Sequence, residues 1–342
     1  MAGLVLVTGG SGFLGAHCIA RLLEDGYSVR TTVRSPEREA DVKQMLARAG
    51  VNCELLQFHI ADLRSDDGWQ GALQGCSYVL HVASPFPERQ PSNPDDLIIP
   101  ARDGTLRVLR AARDGGIKRV VLTSSFAAIG YGRLAKANPY TEEDWTDEGA
   151  DVTPYVKSKT IAERAAWHFV EKDGGSMELS VINPVGIFGP LMGPDYPASI
   201  AFLKSMLEGK LFALPRLMFG AVDVRDVAQL HVSAMIAPDA AGQRFLATSG
   251  DFLTVQEIAQ TLKTGLGSAA SRVSTRTLPD WLVRMAGVFS TTARQAGGAD
   301  LGRFKNASNE KARRMLSWQP RSPDEAIVAA GKSLLDLGLV KS

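Results

Sequence analysis

Disulfides, metal cages and membrane spans are hard to build from this sequence. Its 342 residues include only three cysteines, Cys18, Cys53 and Cys76, with no CxxC pair. An odd number so spaced gives neither a disulfide framework nor a zinc site, and it fits a reducing compartment, here the cytoplasm. The five histidines show no HxxxH or HExxH spacing, so no metal centre is expected. No apolar run reaches the roughly 18 residues that a membrane helix needs. The first seven residues carry no basic stretch and run straight into a turn, so they are expected to form a strand and not a secretion signal. Charge of one sign is missing too. Lys plus Arg is 38 and Asp plus Glu is 37, a formal net charge of +1. That balance offers nothing to nucleic acid or to an anionic membrane.

The chain does hold 45% hydrophobic residues and 33 glycines, enough for a sizeable core and several tight turns. The first half alternates β-branched runs with amphipathic stretches. Strands are expected at 4–8, 28–33, 54–59, 78–83, 119–123 and 179–183. Helices are expected at 13–24, 97–113 and 155–171. In the first of these, Leu14, Cys18 and Leu22 share a face with Ile19 and Leu23 at i, i+4 spacing. Such alternation implies right-handed crossovers and a parallel sheet covered on both sides. Beyond Asn183-Pro184 the pattern changes. Pro and Gly cluster over 188–194, helices are expected at 199–207 and 224–236, and a strand at 244–248. Thr254 with Glu257, and Ser322 with Glu325, read as capping boxes, the second with Pro323 in the first helical position. The stretch 290–308, rich in Gly, Ala and Thr, reads as a loop. The expected division is a nucleotide-binding domain over 1–183, joined by 222–248, and a smaller, mostly helical lobe over 184–221 and 249–342.

Between the first strand and first helix lies Thr8-Gly9-Gly10-Ser11-Gly12-Phe13-Leu14-Gly15, with Gly9, Gly12 and Gly15 three apart. Gly9 suits a tight turn. Gly12 lets a pyrophosphate approach the backbone at the positive end of the helix, and Gly15 allows close helix–strand packing. Further on, Tyr155-Val156-Lys157-Ser158-Lys159 gives a YxxxK pair at a helix start, after a strand ending in Ser124-Ser125.

This set of motifs resembles the extended branch of the short-chain dehydrogenase/reductase superfamily, as do Asn183-Pro184 with Gly189-Pro190 and the segment from Val222 to Ala228. Within that branch the chain is similar to the group of dihydroflavonol reductase, cinnamoyl-CoA reductase and yeast-type carbonyl reductase. The residues behind that likeness are Thr32-Val33-Arg34, Ala61-Asp62-Leu63, His81-Val82-Ala83-Ser84-Pro85-Phe86 and Leu122-Thr123-Ser124-Ser125. The resemblance implies a doubly wound Rossmann-type α/β fold with a smaller substrate lobe. Around the tyrosine the sequence reads Thr153-Pro154-Tyr155-Val156-Lys157-Ser158-Lys159, where the plant cinnamoyl-CoA reductases carry NWYCYGK. That departure counts against a CoA thioester substrate.

About twenty residues past the loop stands Arg34, where an NAD-binding chain carries an acid. A guanidinium there can pair bidentately with a 2′-phosphate, with Arg38 assisting, so the expected cofactor is NADPH. The resemblance adds Gly9, Gly12, Phe13, Leu14, Gly15, Asp62, Leu63, Ala83, Ser84, Tyr155, Lys159, Pro184 and Val185 as cofactor contacts. It implies Ser125, Tyr155 and Lys159 as the catalytic set, with Ser124 the alternative serine. Tyr155 would supply the proton, the ammonium of Lys159 lowering the phenol from its usual pKa of about 10. Ser125 would orient the carbonyl. Ser84, Phe86, Ser125, Phe126, Phe188 and Met192 are expected on the substrate side. The expected activity is reduction of a small aldehyde or ketone with an apolar or aromatic flank, by a chain that a homodimer would also suit. A nucleotide-sugar epimerase or dehydratase, a 3β-hydroxysteroid-type dehydrogenase and a non-catalytic NADP sensor are the competing readings. Phe126-Ala127-Ala128-Ile129 after the serine counts against sugar chemistry, and the intact Ser125, Tyr155 and Lys159 count against a sensor.

Overall fold

The computed structural model of the chain describes residues 2–84, 93–132, 138–289 and 300–341. The expected alternation is there: β1 (Ala2–Thr8), α1 (Phe13–Glu24), β2 (Tyr27–Val33), α2 (Glu37–Arg48), β3 (Leu56–Ile60), α3 (Trp69–Leu73), β4 (Cys76–His81), α4 (Asp95–Asp114), β5 (Arg119–Thr123), α5 (Pro154–Asp173) and β6 (Glu178–Pro184). A later strand, β10 (Arg244–Ala247), pairs with β6, so seven parallel strands run in the order β10-β6-β5-β4-β1-β2-β3. The order reverses at β1. Loops leaving the carboxyl ends of β1 and β4 diverge there, and that is where such sheets form a ligand crevice.

Alternate residues of each strand face opposite layers, as the two-residue period of a strand requires. Val5 and Val7 of β1, Leu80 of β4, Val121 of β5 and Ile182 of β6 join a core with α1 and α7 (Val224–Ile236). Their neighbours Leu6, Val79, Val120, Leu122 and Val181 join another with α3, α4 and α5. Each such fully buried Val or Leu stabilises the fold by about 1.5–3 kcal/mol. Polar groups trim the strand ends. β4 stops at His81, not at Ala83 as the sequence suggested, because the N–H groups of Val82 and Ala83 turn to the hydroxyl of Thr8.

The sequence showed no clear sign of α2, whose apolar stripe is only Val42, Met45 and Leu46. Past β6 come β7 (Gly186–Phe188), α6 (Ala198–Leu207), β8 (Met218–Phe219) and β9 (Ala221–Asp223), then α7, β10, β11 (Leu253–Thr254) and α8 (Val255–Leu266). Two pairs of short strands, β7 with β9 and β8 with β11, stand outside the main sheet. Both expected capping boxes form, at Thr254 with Glu257 and at Ser322 with Glu325. The helix Pro323–Asp336 packs on α8 through small residues. A Cβ on Gly331 would come within 2.7 Å of Leu266, and one on Gly265 within 2.3 Å of Val328. Part of the expected loop, 290–299, lies outside the described residues. The following 300–308 has neither helix nor strand, but Ala307 makes a single bridge to Tyr140.

Candidate active site

β1 delivers Thr8 to the crevice. Its hydroxyl accepts from the N–H groups of Val82 and Ala83 and lies 2.8 Å from His81 Nδ1. With two N–H donors already on the oxygen, the hydroxyl proton goes to Nδ1 and the imidazole carries its hydrogen on Nε2. Burial holds His81 near pKa 3, so the ring is neutral at pH 7. This stitching fixes Ala83 against the glycine loop. Gly9 has φ +72°, and a Cβ there would lie 3.0 Å from the Ala83 backbone. The Gly12 N–H closes onto the Gly9 carbonyl at 3.0 Å. A Cβ on Gly15 would sit 2.3 Å from that same carbonyl oxygen. Gly10, which the spacing did not single out, is held as tightly: its Cβ would meet Thr31 Oγ1 at 2.1 Å. Gly12 caps α1 without a side-chain acceptor, and the first turn has no acidic residue. The helix therefore opens toward the crevice with free N–H groups and the positive end of its dipole. Phe13 and Leu14 bury their side chains in the core, so what they offer at the loop is backbone.

Arg34 follows β2, exposed, and makes no hydrogen bond or ion pair among the described residues. Arg38 is already engaged, bridging Asp41 and Asp195. Asp62, past β3, accepts from the Arg64 N–H at 2.9 Å and from its guanidinium at 2.8 Å. Those bonds hold its carboxyl below the usual range, with Arg34 adding to the effect. Leu63 lies against Gly104 of α4, where a Cβ would come within 3.1 Å.

β5 ends in the two serines, and the structure separates them. Ser124 is buried and gives its hydroxyl to Glu163. Ser125 stays partly open, in extended conformation (φ −164°, ψ 156°), and its oxygen accepts from the Ala127 N–H at 3.1 Å. Its hydroxyl also acts on the Tyr155 phenol, favouring the ionised form. α5 starts at Pro154, with Thr153 as its cap accepting from the Val156 N–H. Tyr155 and Lys159 therefore project from the first two turns on one face. Lys159 Nζ donates to Ser84 Oγ at 3.1 Å. Burial pushes the ammonium down to about 8, with Glu163 acting against that. Burial also raises the Tyr155 phenol, which Ser125 partly offsets. The expected lowering of Tyr155 by Lys159 is not what the chain alone displays. Its ammonium points to Ser84, and desolvation dominates both groups.

The remaining expected residues are placed as follows. Pro184 ends β6, and the Val185 N–H donates to Ala247 at 3.1 Å. Phe126 is a packing centre, its ring edge-on to Tyr131, Tyr140 and Phe252. Phe188 is buried in β7. Met192 belongs to a loop laid over α1 and α2. There His17 Nε2 donates to Pro190, and the Met192 carbonyl accepts from Arg48. Phe86 lies outside the described residues. No motif marks Lys305, whose ammonium sits 3.6 Å from the Tyr131 ring centre and pairs with Asp300 at 3.0 Å. Some 170 residues separate that contact along the chain, so no local pattern could reveal it.

Residues 5–246 match the model of the NAD dependent epimerase/dehydratase family. The cinnamoyl-CoA reductase CAD2 of Medicago truncatula is 36% identical over 253 residues, covering 72% of this chain and 76% of that protein. The (2S)-flavan-3-ol-forming anthocyanidin reductase of Vitis vinifera is 32% identical over 69% of this chain and 74% of its own. Among solved structures, yeast methylglyoxal/isovaleraldehyde reductase Gre2 complexed with NADPH superposes with a TM-score of 0.82 at 26% identity, covering 99% of this chain and 100% of that one. With its glycine loop at a switch point and Ser125, Tyr155 and Lys159 gathered at the strand ends, the chain belongs to the NAD dependent epimerase/dehydratase family, the extended short-chain dehydrogenases/reductases.

Proposed function

We infer that the chain is an NADPH-dependent reductase that converts an aldehyde or ketone to an alcohol. The observation that carries this reading is the gathering of Ser125 at the end of β5 with Tyr155 and Lys159 on the first two turns of α5. Relatives named as reductases support it, as does the NADPH complex of Gre2. They favour reduction over sugar epimerisation.

The residues suit the cofactor. The glycines keep side chains off the turn, with a Cβ at Gly10 or Gly15 meeting its neighbours within 2.3 Å, so a pyrophosphate can reach the backbone N–H groups of α1. Arg34 would hold the 2′-phosphate, and Asp62 and Leu63 the adenine edge. Ala83, Ser84, Pro184 and Val185 would flank the nicotinamide half, with Lys159 bonding its ribose. When bound, NADPH supplies a hydride from nicotinamide C4. Ser125 donates to the carbonyl oxygen and orients it. Tyr155, protonated at pH 7, gives its proton to that oxygen as negative charge develops there. The ammonium of Lys159 then stabilises the phenolate left behind. The residues that follow Ser125, Phe126-Ala127-Ala128-Ile129, carry no charge, which suits a carbonyl compound with an apolar or aromatic flank. The three free cysteines support a cytoplasmic setting.

The test is consumption of NADPH, followed by its absorbance, with a panel of aromatic aldehydes, β-ketoesters and diketones. Turnover on at least one class with NADPH, and much slower turnover with NADH, is expected. Tight NADPH binding with no turnover on any of them would contradict the reading.

A further inference from the structure

Behind the Ser125, Tyr155 and Lys159 face lies one buried carboxylate. Glu163 is a helical turn beyond Lys159, so Tyr155, Lys159 and Glu163 form a stripe along α5 at i, i+4 and i+8. It is 1% exposed. Four donors converge on it. Oε2 accepts from the Ser124 hydroxyl at 2.5 Å and from the Asn183 amide at 2.7 Å. Oε1 accepts from the Arg244 guanidinium at 2.6 Å and from the Trp167 indole at 3.4 Å. Amide, guanidinium and indole N–H groups only donate, so both oxygens act as acceptors, the pattern of a carboxylate.

A buried ion pair contributes little net stability, because desolvation offsets much of its attraction. The partners of Glu163 suggest another use. Ser124 precedes Ser125. The Asn183 amide that binds Glu163 also donates to the Ser125 carbonyl at 3.2 Å. Arg244 opens β10 and binds the carbonyls of Glu142 and Asp144. One side chain thus ties the ends of β5 and β6 and the start of β10 to the helix that bears Tyr155 and Lys159.

We propose that Glu163 is a positioning residue for the reduction: it fixes Ser125 against Tyr155 through Ser124 and Asn183, and it gives the Lys159 ammonium a counter-charge inside the protein. This rests on the reductase reading. The other groups around Lys159 do not supply that charge. Ser84 and the neutral His81 face it from the end of β4, Tyr155 is a phenol on its own helix, and α4 buries only uncharged residues. Arg244, beyond Glu163, is itself a cation.

The experiment measures reduction rates against pH for the wild type, Glu163→Gln and Glu142→Gln. Glutamine keeps the size and one acceptor oxygen but removes the charge. For Glu163→Gln, kcat is expected to fall at least about tenfold, while KM for NADPH and for the carbonyl changes less than about threefold. Without its counter-charge Lys159 loses its proton earlier, so the high-pH limb of kcat moves down by about one unit. In the cofactor-free protein, the NMR titration of Lys159 moves in the same direction. Glu142, whose carboxylate accepts from the Leu246 N–H at 2.9 Å, is the control for general loosening. Glu142→Gln, which removes a nearby buried charge and keeps the acceptor for that N–H, should leave the limb in place. A folded Glu163→Gln enzyme with wild-type kcat and an unmoved limb overturns the proposal. So does a loss of kcat with an unmoved limb that Glu142→Gln reproduces, because that pattern means structural support alone. If Glu163→Gln does not fold, Ser124→Ala cuts one link of the set. A lower kcat at unchanged KM supports the proposal there, and an unchanged kcat overturns it. A wild type that consumes no NADPH fails before any variant is compared, and that result overturns the reductase reading itself.

Discussion

Arg34 stands in solvent at the end of β2 with no hydrogen bond or ion pair among the described residues, while Arg38 is shared by Asp41 and Asp195. An unpaired guanidinium there is available to a 2′-phosphate, and an aspartate in its place would repel one. Arg34→Asp is expected to raise the NADPH dissociation constant roughly 10- to 100-fold, the loss of a charge-assisted pair of about 1.5–3 kcal/mol. The NADH constant should change by less than about threefold. Fluorescence titration with each nucleotide measures both, and equal changes would contradict the phosphate assignment. At this scale the sequence was legible wherever the chemistry sits in one short segment. Gly9, Gly12 and Gly15 are three apart, and Tyr155 and Lys159 four apart, so spacing alone points to a shared task. Gly10 escaped notice because what crowds it is Thr31 on the neighbouring strand. Glu163 escaped because along the chain it is one more glutamate on an amphipathic helix. Only folding brings Ser124, Asn183 and Arg244 to it.

The elements form where local physics is strong. α1, α7 and β5 have the bounds that the pattern predicts, and the capping boxes mark helix starts at Thr254 and Ser322. At Ser322 the hydroxyl accepts from the Glu325 N–H while the Glu325 carboxylate accepts from the Ser322 N–H at 3.0 Å. Ser322→Ala is expected to destabilise the protein by about 1 kcal/mol. Urea unfolding should show a lower midpoint with an unchanged slope, and an unchanged midpoint would mean that the cap contributes nothing. Where the local signal is thin, the sequence did not suffice. α2 has three buried residues to define its face. Strands β7, β8, β9 and β11 are two or three residues long, too short to show a two-residue period. They exist because their partners hold them, as β9 holds β7.

Across the whole molecule, the strand order determines which distant residues meet. β1 lies between β4 and β2, which puts the glycine loop beside Ala83 and Thr32, two residues before Arg34. β5 lies between β4 and β6, which puts Ser125 between Ser84 and Asn183. α5 then crosses this edge and brings Tyr155 and Lys159 to it. The parallel sheet was legible from the alternation of strands and helices. The closing contacts from 300–308, among them Lys305 on Tyr131 and Ala307 with Tyr140, were not, since they depend on chain paths that no window of sequence contains. The central claim is that this geometry reduces a carbonyl with the proton of Tyr155. Tyr155→Phe keeps the ring and removes only the phenol, so turnover and NADPH binding measured on the same preparation test it most directly. The account predicts that kcat falls by roughly 100-fold or more while the NADPH dissociation constant stays within about threefold. A variant that binds NADPH and still reduces the carbonyl at close to the wild-type rate would contradict it.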